Sequence, residues 1–287
     1  MRNLFESRRQ AFGPLGALFG LALIWLLVAS CAQVPITGRS QLNLVPSQDL
    51  LRQSEQAYRQ FLKKHKLCTD PSKVDMVRRV GFRIARAVEQ YLAQQGQSRL
   101  IRGYKWEFNL IEDKQINAWC MPGGKVVVYT GILPICRDDA GLAVVLSHEI
   151  AHAVANHAAE RMSQSMLVGL GGAVVAALTG SSSPYTTRAV LDLYGLGANL
   201  AVMLPYSRMQ EEEADRLGLI FMAVAGYDPR AALDFWARMS KAVRGKGRPP
   251  EFLSTHPSDE TRIRKIRQFM PTALRYYERY GRGKRGP

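Results

Sequence analysis

Hydrophobic and polar positions divide the chain into three regimes. Phe12 to Ala29 is apolar, centred on Leu21-Ala22-Leu23-Ile24-Trp25-Leu26-Leu27-Val28, and no charged residue falls between Gln10 and Gly38. Beyond a polar stretch with Pro35, Gly38 and Pro46, the pattern becomes helical. Val74, Met76, Val77, Val80, Ile84, Ala85 and Val88 keep helical spacing and predict a helix over 72–95. Ser47 is a candidate N-cap for an earlier helix over 48–65. The period then drops to two. Tyr104 to Leu110 alternates like a strand; 116–121 and 125–130 read as two more, joined by Pro122-Gly123-Gly124 as a hairpin or bulged ribbon. From Asp138 the pattern is helical to the end, with breaks near 180–186 and 245–258. Residues 166–178 are apolar all round and short for a membrane span, which predicts a buried helix rather than an interfacial hairpin. The fold class is mainly α, of α+β type, with a small β-ribbon or sheet. No internal repeat is visible, so a solenoid is not expected.

Charge changes the picture at the N-terminus. The 287 residues carry 39 Lys and Arg against 24 Asp and Glu, a formal charge of +15. Such a balance suits nucleic acid or an anionic membrane surface. Arg2, Arg8 and Arg9 precede the apolar run and small residues follow it, as in a secretory signal over 1–30. That places the body outside the cytoplasm, so nucleic acid is not expected as a partner. Val28-Ala29-Ser30 leading into Cys31 resembles the bacterial lipobox. The resemblance implies lipidation of Cys31, a lipid anchor in the membrane rather than a span and, with Ala32 next, the outer membrane. The expected organisation is a lipoprotein signal peptide 1–30, a lipid-anchored tether 31–46, one domain 47–271 and a basic, solvated tail 272–287. Cys68, Cys120 and Cys136 are odd in number, so at most one internal bridge forms, and their spacing fits no zinc–cysteine site.

The chemistry lies in His148-Glu149-Ile150-Ala151-His152. On a helix, positions i and i+4 share a face, so both imidazoles reach one cation. Glu149 sits beside them, close enough to act on water at that cation. This is the HExxH zinc signature, and its flanks are helical. An ionised glutamate beside two buried histidines is costly unless a metal organises them. A catalytic zinc takes three protein ligands, so one more comes from elsewhere. Glu211-Glu212-Glu213-Ala214-Asp215 and Asp259-Glu260 are the two carboxylate-rich candidates. Glu211 and Asp215 share a face; one could bind the metal while the other accepts a proton from a ligand imidazole. Zinc is preferred, though the motif alone admits other divalent ions.

Several motifs together resemble the CAAX-prenyl-protease-like zinc metallopeptidase family of HtpX, BepA and LoiP type, to which the mitochondrial OMA protease is related. They are HExxH, the later Ser207-Arg208…Glu211…Glu213-Ala214-Asp215, Asn117 to Gly124, and Thr255-His256-Pro257 with Arg262. Cys31 to Arg39 resembles the mature start of the family's lipoprotein branch. The resemblance spans roughly 32–270 and implies a gluzincin-like metallopeptidase domain with its small sheet packed beside the HExxH helix. It further implies His148, His152 and Glu211 as ligands of one Zn2+, Glu149 as general base, and Asp215 holding a ligand histidine. His256 would either stabilise the oxyanion or occupy the open metal position in a latent state, and Arg262 would support the site. Asn117, Ala118, Trp119, Cys120 and Met121 would bind substrate as an added strand. Glu212 and Glu213 are expected to point away, and His157 and His65 to be bystanders.

The expected function is a zinc endopeptidase of the bacterial periplasm, tethered to the outer membrane. It would degrade misfolded or stalled envelope proteins, with unfolded polypeptide and the outer-membrane assembly machinery as expected partners. The alternatives are an assembly factor with dispensable proteolysis and an inner-membrane peptidase with spans at 10–30 or 166–203.

Overall fold

The computed structural model describes residues 31–34, 36–179, 184–198, 203–243, 251–256 and 260–281. The expected signal peptide, 1–30, lies outside them. The segment expected as a loose tether is a ribbon: β1 (Cys31–Gln33) pairs antiparallel with β2 (Ser40–Leu42). Gly38 closes the turn at φ 68° and donates its N–H to the Val34 carbonyl at 3.0 Å. The ribbon is docked rather than free, with Val34 1% exposed and the Leu44 N–H donating to Ser163 Oγ at 2.9 Å.

Helix α1 spans Ser47–Lys64, but Pro46, not Ser47, takes the N-cap, and no side chain caps it. Helix α2, Pro71–Gln94, is started by Pro71 and by Asp70, whose carboxylate accepts from the Ser72 and Lys73 N–H groups. Its Val77, Val80, Ile84 and Val88 enter the core. Strands β3 (Glu107–Ile111), β4 (Ala118–Met121) and β5 (Lys125–Tyr129) follow. They form one sheet in the order β3-β5-β4, with β3 parallel to β5 and β4 antiparallel to it. All of β5 is buried, as a run of Val126-Val127-Val128 in a central strand should be. The β4–β5 turn needs its glycines: Gly123 and Gly124 have φ of 89° and 78°, and the Trp106 ring lies over Gly124.

Helix α3 (Asp139–Val154) carries the HExxH motif and is buried from Gly141 to Val154. The chain breaks at Ala155-Asn156, with Asn156 at φ 59°, and resumes in α4 (His157–Thr179). Helix α5 (Pro184–Ala198) packs on α4, its Tyr194 hydroxyl donating to the Val168 carbonyl at 3.1 Å. The expected burial of 166–178 is corrected here. Met166, Leu170 and Val174, spaced four apart on one stripe of α4, are exposed, as are Leu193 and Leu196 on α5. Among the described residues, one partner helix covers one side of this all-apolar stretch and leaves the other side exposed. No helix among the described residues is long and apolar enough to cross a membrane.

Four helices complete the domain: α6 (Leu204–Val224), α7 (Ala231–Val243), α8 (Glu251–Thr255) and α9 (Glu260–Tyr276). α6 crosses α3 at Gly218, where an added Cβ would sit 3.1 Å from the His148 Cα and amide nitrogen. The segment expected as a solvated tail from 272 continues α9 and then turns through Tyr277–Gly281. Tyr276 and Tyr280 pack edge-on against Tyr91, whose hydroxyl lies 3.3 Å from that of Tyr276. Residues 282–287 lie outside the description. Cys68, Cys120 and Cys136 are all free thiols, so none is bridged to another.

Candidate active site

One turn of α3 brings His148 and His152 together, with their Nε2 atoms 3.1 Å apart. α6 supplies Glu211, held against α3 by the close passage at Gly218. Its Oε1 lies 3.2 Å from His152 Nε2 and its Oε2 3.4 Å from His148 Nε2. His256, just past α8, adds Nδ1 at 2.8 Å from Glu211 Oε2 and 3.2 Å from His148 Nε2. These four residues each offer one donor atom, all within 4.8 Å of one another. Of the two carboxylate stretches proposed from sequence, the first brings Glu211 within reach of both histidines.

The donor set fits zinc. Tetrahedral zinc with bonds of about 2.0–2.1 Å to nitrogen and oxygen separates its donors by about 3.3 Å, close to the spacings found. The electrostatics agree. Burial disfavours charge on His148, yet Asp215 and Glu211 outweigh it and pull the imidazole up to about 9. Burial opposes the Glu211 charge too, but His152, His148 and His256 hold it far below the ordinary carboxylate range. Without a cation, protons on histidine have to balance this negative charge. His152 is pushed well down by burial and so is neutral, as a metal-binding imidazole must be.

Glu149 is 4% exposed. Burial raises its pKa, against the attraction of His256 and His148. Its Oε1 is 3.4 Å from His256 Nε2 yet makes no hydrogen bond, a buried oxygen aimed into the cluster. Edge strand β4 runs beside it: burial, and then the Glu149 charge, push the Cys120 thiol well up. The α8 segment that carries His256 is tied to the lead-in of β4, with the Phe252 N–H donating to the Ile116 carbonyl at 3.3 Å. Asn117 accepts the Tyr129 N–H on its carbonyl at 3.1 Å, anchoring the start of the edge.

Asp215 Oδ1 lies 3.1 Å from His148 Nδ1 and accepts from the Arg262 guanidinium at 2.6 Å. Arg262 is buried and stacks its guanidinium 3.6 Å over the Trp236 ring. Glu212 turns away to pair with Arg216 and Lys265. His65 stacks on Phe61 in α1 and has no part in the cluster. One expectation needs correction, that of His157 as a bystander. His157 is fully buried, its Nδ1 2.8 Å from His152 Nδ1, and Glu213 Oε2, outside the donor group, lies 3.1 Å from His157 Nε2. Were α3 and α4 one continuous helix, His157 would not reach His152. The break at Asn156 redirects α4, and Asn before a His was the signal available for it.

A buried HExxH helix, a glutamate from a second helix and an edge strand beside them define a metallopeptidase domain. Residues 82–270 match the model of Peptidase family M48, and the chain belongs to that family, whose members are zinc-dependent. It is 37% identical over 244 residues to the mitochondrial metalloendopeptidase OMA1 of Schizosaccharomyces pombe, covering 84% of this chain and 66% of the relative. With the mitochondrial metalloendopeptidase OMA1 of Homo sapiens it shares 31% over 283 residues, 96% of this chain and 52% of the relative. With the β-barrel assembly-enhancing protease of Escherichia coli it shares 32% over 161 residues, 55% of this chain and 33% of the relative. The chain thus spans about half to two thirds of the mitochondrial relatives.

These relatives overturn the expectation of a bacterial periplasmic lipoprotein in the outer membrane acting on envelope proteins. The mitochondrial metalloendopeptidases of Schizosaccharomyces pombe and Homo sapiens match 84% and 96% of the chain, and the bacterial protease 55%. A basic, apolar N-terminus is common to several membrane-directed segments and does not identify a compartment.

Proposed function

We propose that the chain is a zinc-dependent endopeptidase that cuts polypeptide laid in extended form along the free edge of β4. The observation that carries this is the buried donor group of His148, His152, Glu211 and His256 with an unsatisfied Glu149 oxygen aimed into it. His148, His152 and Glu211 would hold the metal. Zinc supplies a Lewis acid that makes water nucleophilic near neutral pH. Glu149, with its raised pKa, accepts the proton of the attacking water and delivers it to the leaving amine. Asp215, braced by Arg262, fixes the His148 ring so that Nε2 faces the metal.

β4 lies at an edge of the sheet, bonded to β5 on one side. Its other edge offers N–H and carbonyl groups to a substrate strand, so binding asks for an extended backbone more than a sequence. Arranged as here, His256 stands inside the donor group, and the α8 segment covers the start of β4. We read this as the closed state; entry of substrate displaces His256, which can then donate to the developing oxyanion.

Casein cleavage by the purified chain tests the reading. Glu149→Gln removes the base and is expected to lower kcat/KM by about 10²–10⁴-fold or more while zinc content stays unchanged. Equal cleavage by Glu149→Gln and wild type refutes it.

A further inference from the structure

We propose that His157 is a positioning residue for the metal site and that the N-terminal ribbon, through Arg39 and Glu213, completes it. The inference rests on zinc occupying the His148–His152–Glu211 group.

The second nitrogen of each metal-binding histidine needs a partner of its own. A metal-binding imidazole keeps its lone pair for the cation on one nitrogen and carries its proton on the other, which needs an acceptor. For His148 that acceptor is Asp215. For His152, whose Nε2 faces the cluster, the group beside Nδ1 is no carboxylate but His157 Nδ1 at 2.8 Å. Two neutral rings bond only when one donates and the other accepts. With the His152 proton on Nδ1, His157 accepts on Nδ1, and its own proton sits on Nε2, facing Glu213 Oε2 at 3.1 Å. Every proton in this chain then has a place, and each donor meets an acceptor.

The far end is anchored by the ribbon. Arg39, in the turn before β2, donates from Nε to Glu213 Oε2 at 2.9 Å, and Thr37 Oγ1 donates to Glu213 Oε1. The same guanidinium forks onto Glu160 of α4, at 2.7 and 2.8 Å. Gln210 of α6 donates to Glu160 as well, at 2.7 Å. Arg39 is thus shared between two carboxylates that are 1% and 5% exposed, on two different helices. Undocking the ribbon leaves Glu160 and Glu213 without their cation and frees the His157 ring to turn.

The test uses the full chain. Zinc affinity is measured by competition with a chelator, and the visible spectrum of the cobalt(II)-loaded protein is recorded for wild type, His157→Phe, His157→Asn and Arg39→Ala. His157→Phe fills the space without an acceptor and is expected to weaken zinc binding by about 10–100-fold and shift the cobalt bands. In His157→Asn the amide oxygen can stand near Nδ1 and accept from His152, so affinity is expected to recover toward wild type although the smaller side chain packs less well. A structural role alone gives the opposite order, and that order overturns the proposal. Arg39→Ala is expected to move affinity and spectrum in the direction of His157→Phe; wild-type values there overturn the part played by the ribbon. Should His157→Phe not fold, Glu213→Gln is read by the same spectrum, and an unchanged spectrum counts against the relay. Failure of the wild-type chain to bind zinc refutes the peptidase reading instead, so the two failures are distinct.

Discussion

His256 poses the sharpest question among single residues, because its Nδ1 already stands 3.2 Å from His148 Nε2, inside the donor group. If it holds the site closed, His256→Ala raises the rate of casein cleavage at unchanged zinc content. If its main work is to stabilise the oxyanion, the same variant lowers kcat by about 10²–10³-fold, the usual cost of losing one such donor. Steady-state kinetics on the two proteins separates the outcomes, and our reading expects the rise. His148, Glu149 and His152 were legible in the sequence because helical spacing alone puts the histidines on one face, whereas Glu211 was one of several candidate carboxylates and was singled out only by the family resemblance. His157 and Glu213 were not legible. Their access to the site depends on the turn at Asn156 and on Arg39, 174 residues from Glu213 along the chain, and no periodicity reports a contact that distant.

Elements were legible where burial is one-sided and illegible where partners decide. α2 shows its apolar stripe openly, and the β4–β5 turn shows its glycines, so both were predicted close to their observed limits. The parallel pairing of β3 with β5 was hidden, since alternation names a strand and not its neighbour. The α4 segment was misread because an all-apolar run is the same string whether it is buried or left open. α3 and α6 matter most, for their contact sets the distance from Glu211 to the histidines. Gly218 permits that contact, and the atoms it faces are backbone, which cannot yield as a side-chain tip can. Gly218→Ala is therefore expected to push the helices apart by a few tenths of an ångström. Zinc affinity should fall, even though alanine favours a helix by about 1 kcal/mol over glycine. Titration against a chelator checks this; affinity equal to wild type would show that the crossing does not set the metal geometry.

Across the whole molecule, α6 closes on the helix that carries HExxH, and the N-terminal ribbon closes on α4 and α6 beside it. A metal at their junction stabilises the folded state in proportion to its occupancy. At free zinc a thousandfold above Kd this amounts to about 4 kcal/mol, and chelation should remove it. Without the metal, Glu211 and Asp215 face His148 and, against burial, raise its pKa to about 9. Denaturant unfolding with and without chelator should thus show a large difference for wild type and almost none for Glu211→Ala; equal differences in both would place the stabilising metal elsewhere.

X-ray absorption at the zinc edge, combined with metal analysis, tests the central claim most directly. The account predicts one zinc per chain, nitrogen and oxygen donors at about 2.0–2.1 Å, and loss of that zinc in both His152→Ala and Glu211→Ala. A wild-type chain that purifies with sulfur-ligated zinc, or a Glu211→Ala chain that keeps a full equivalent in an unchanged coordination shell, would contradict it.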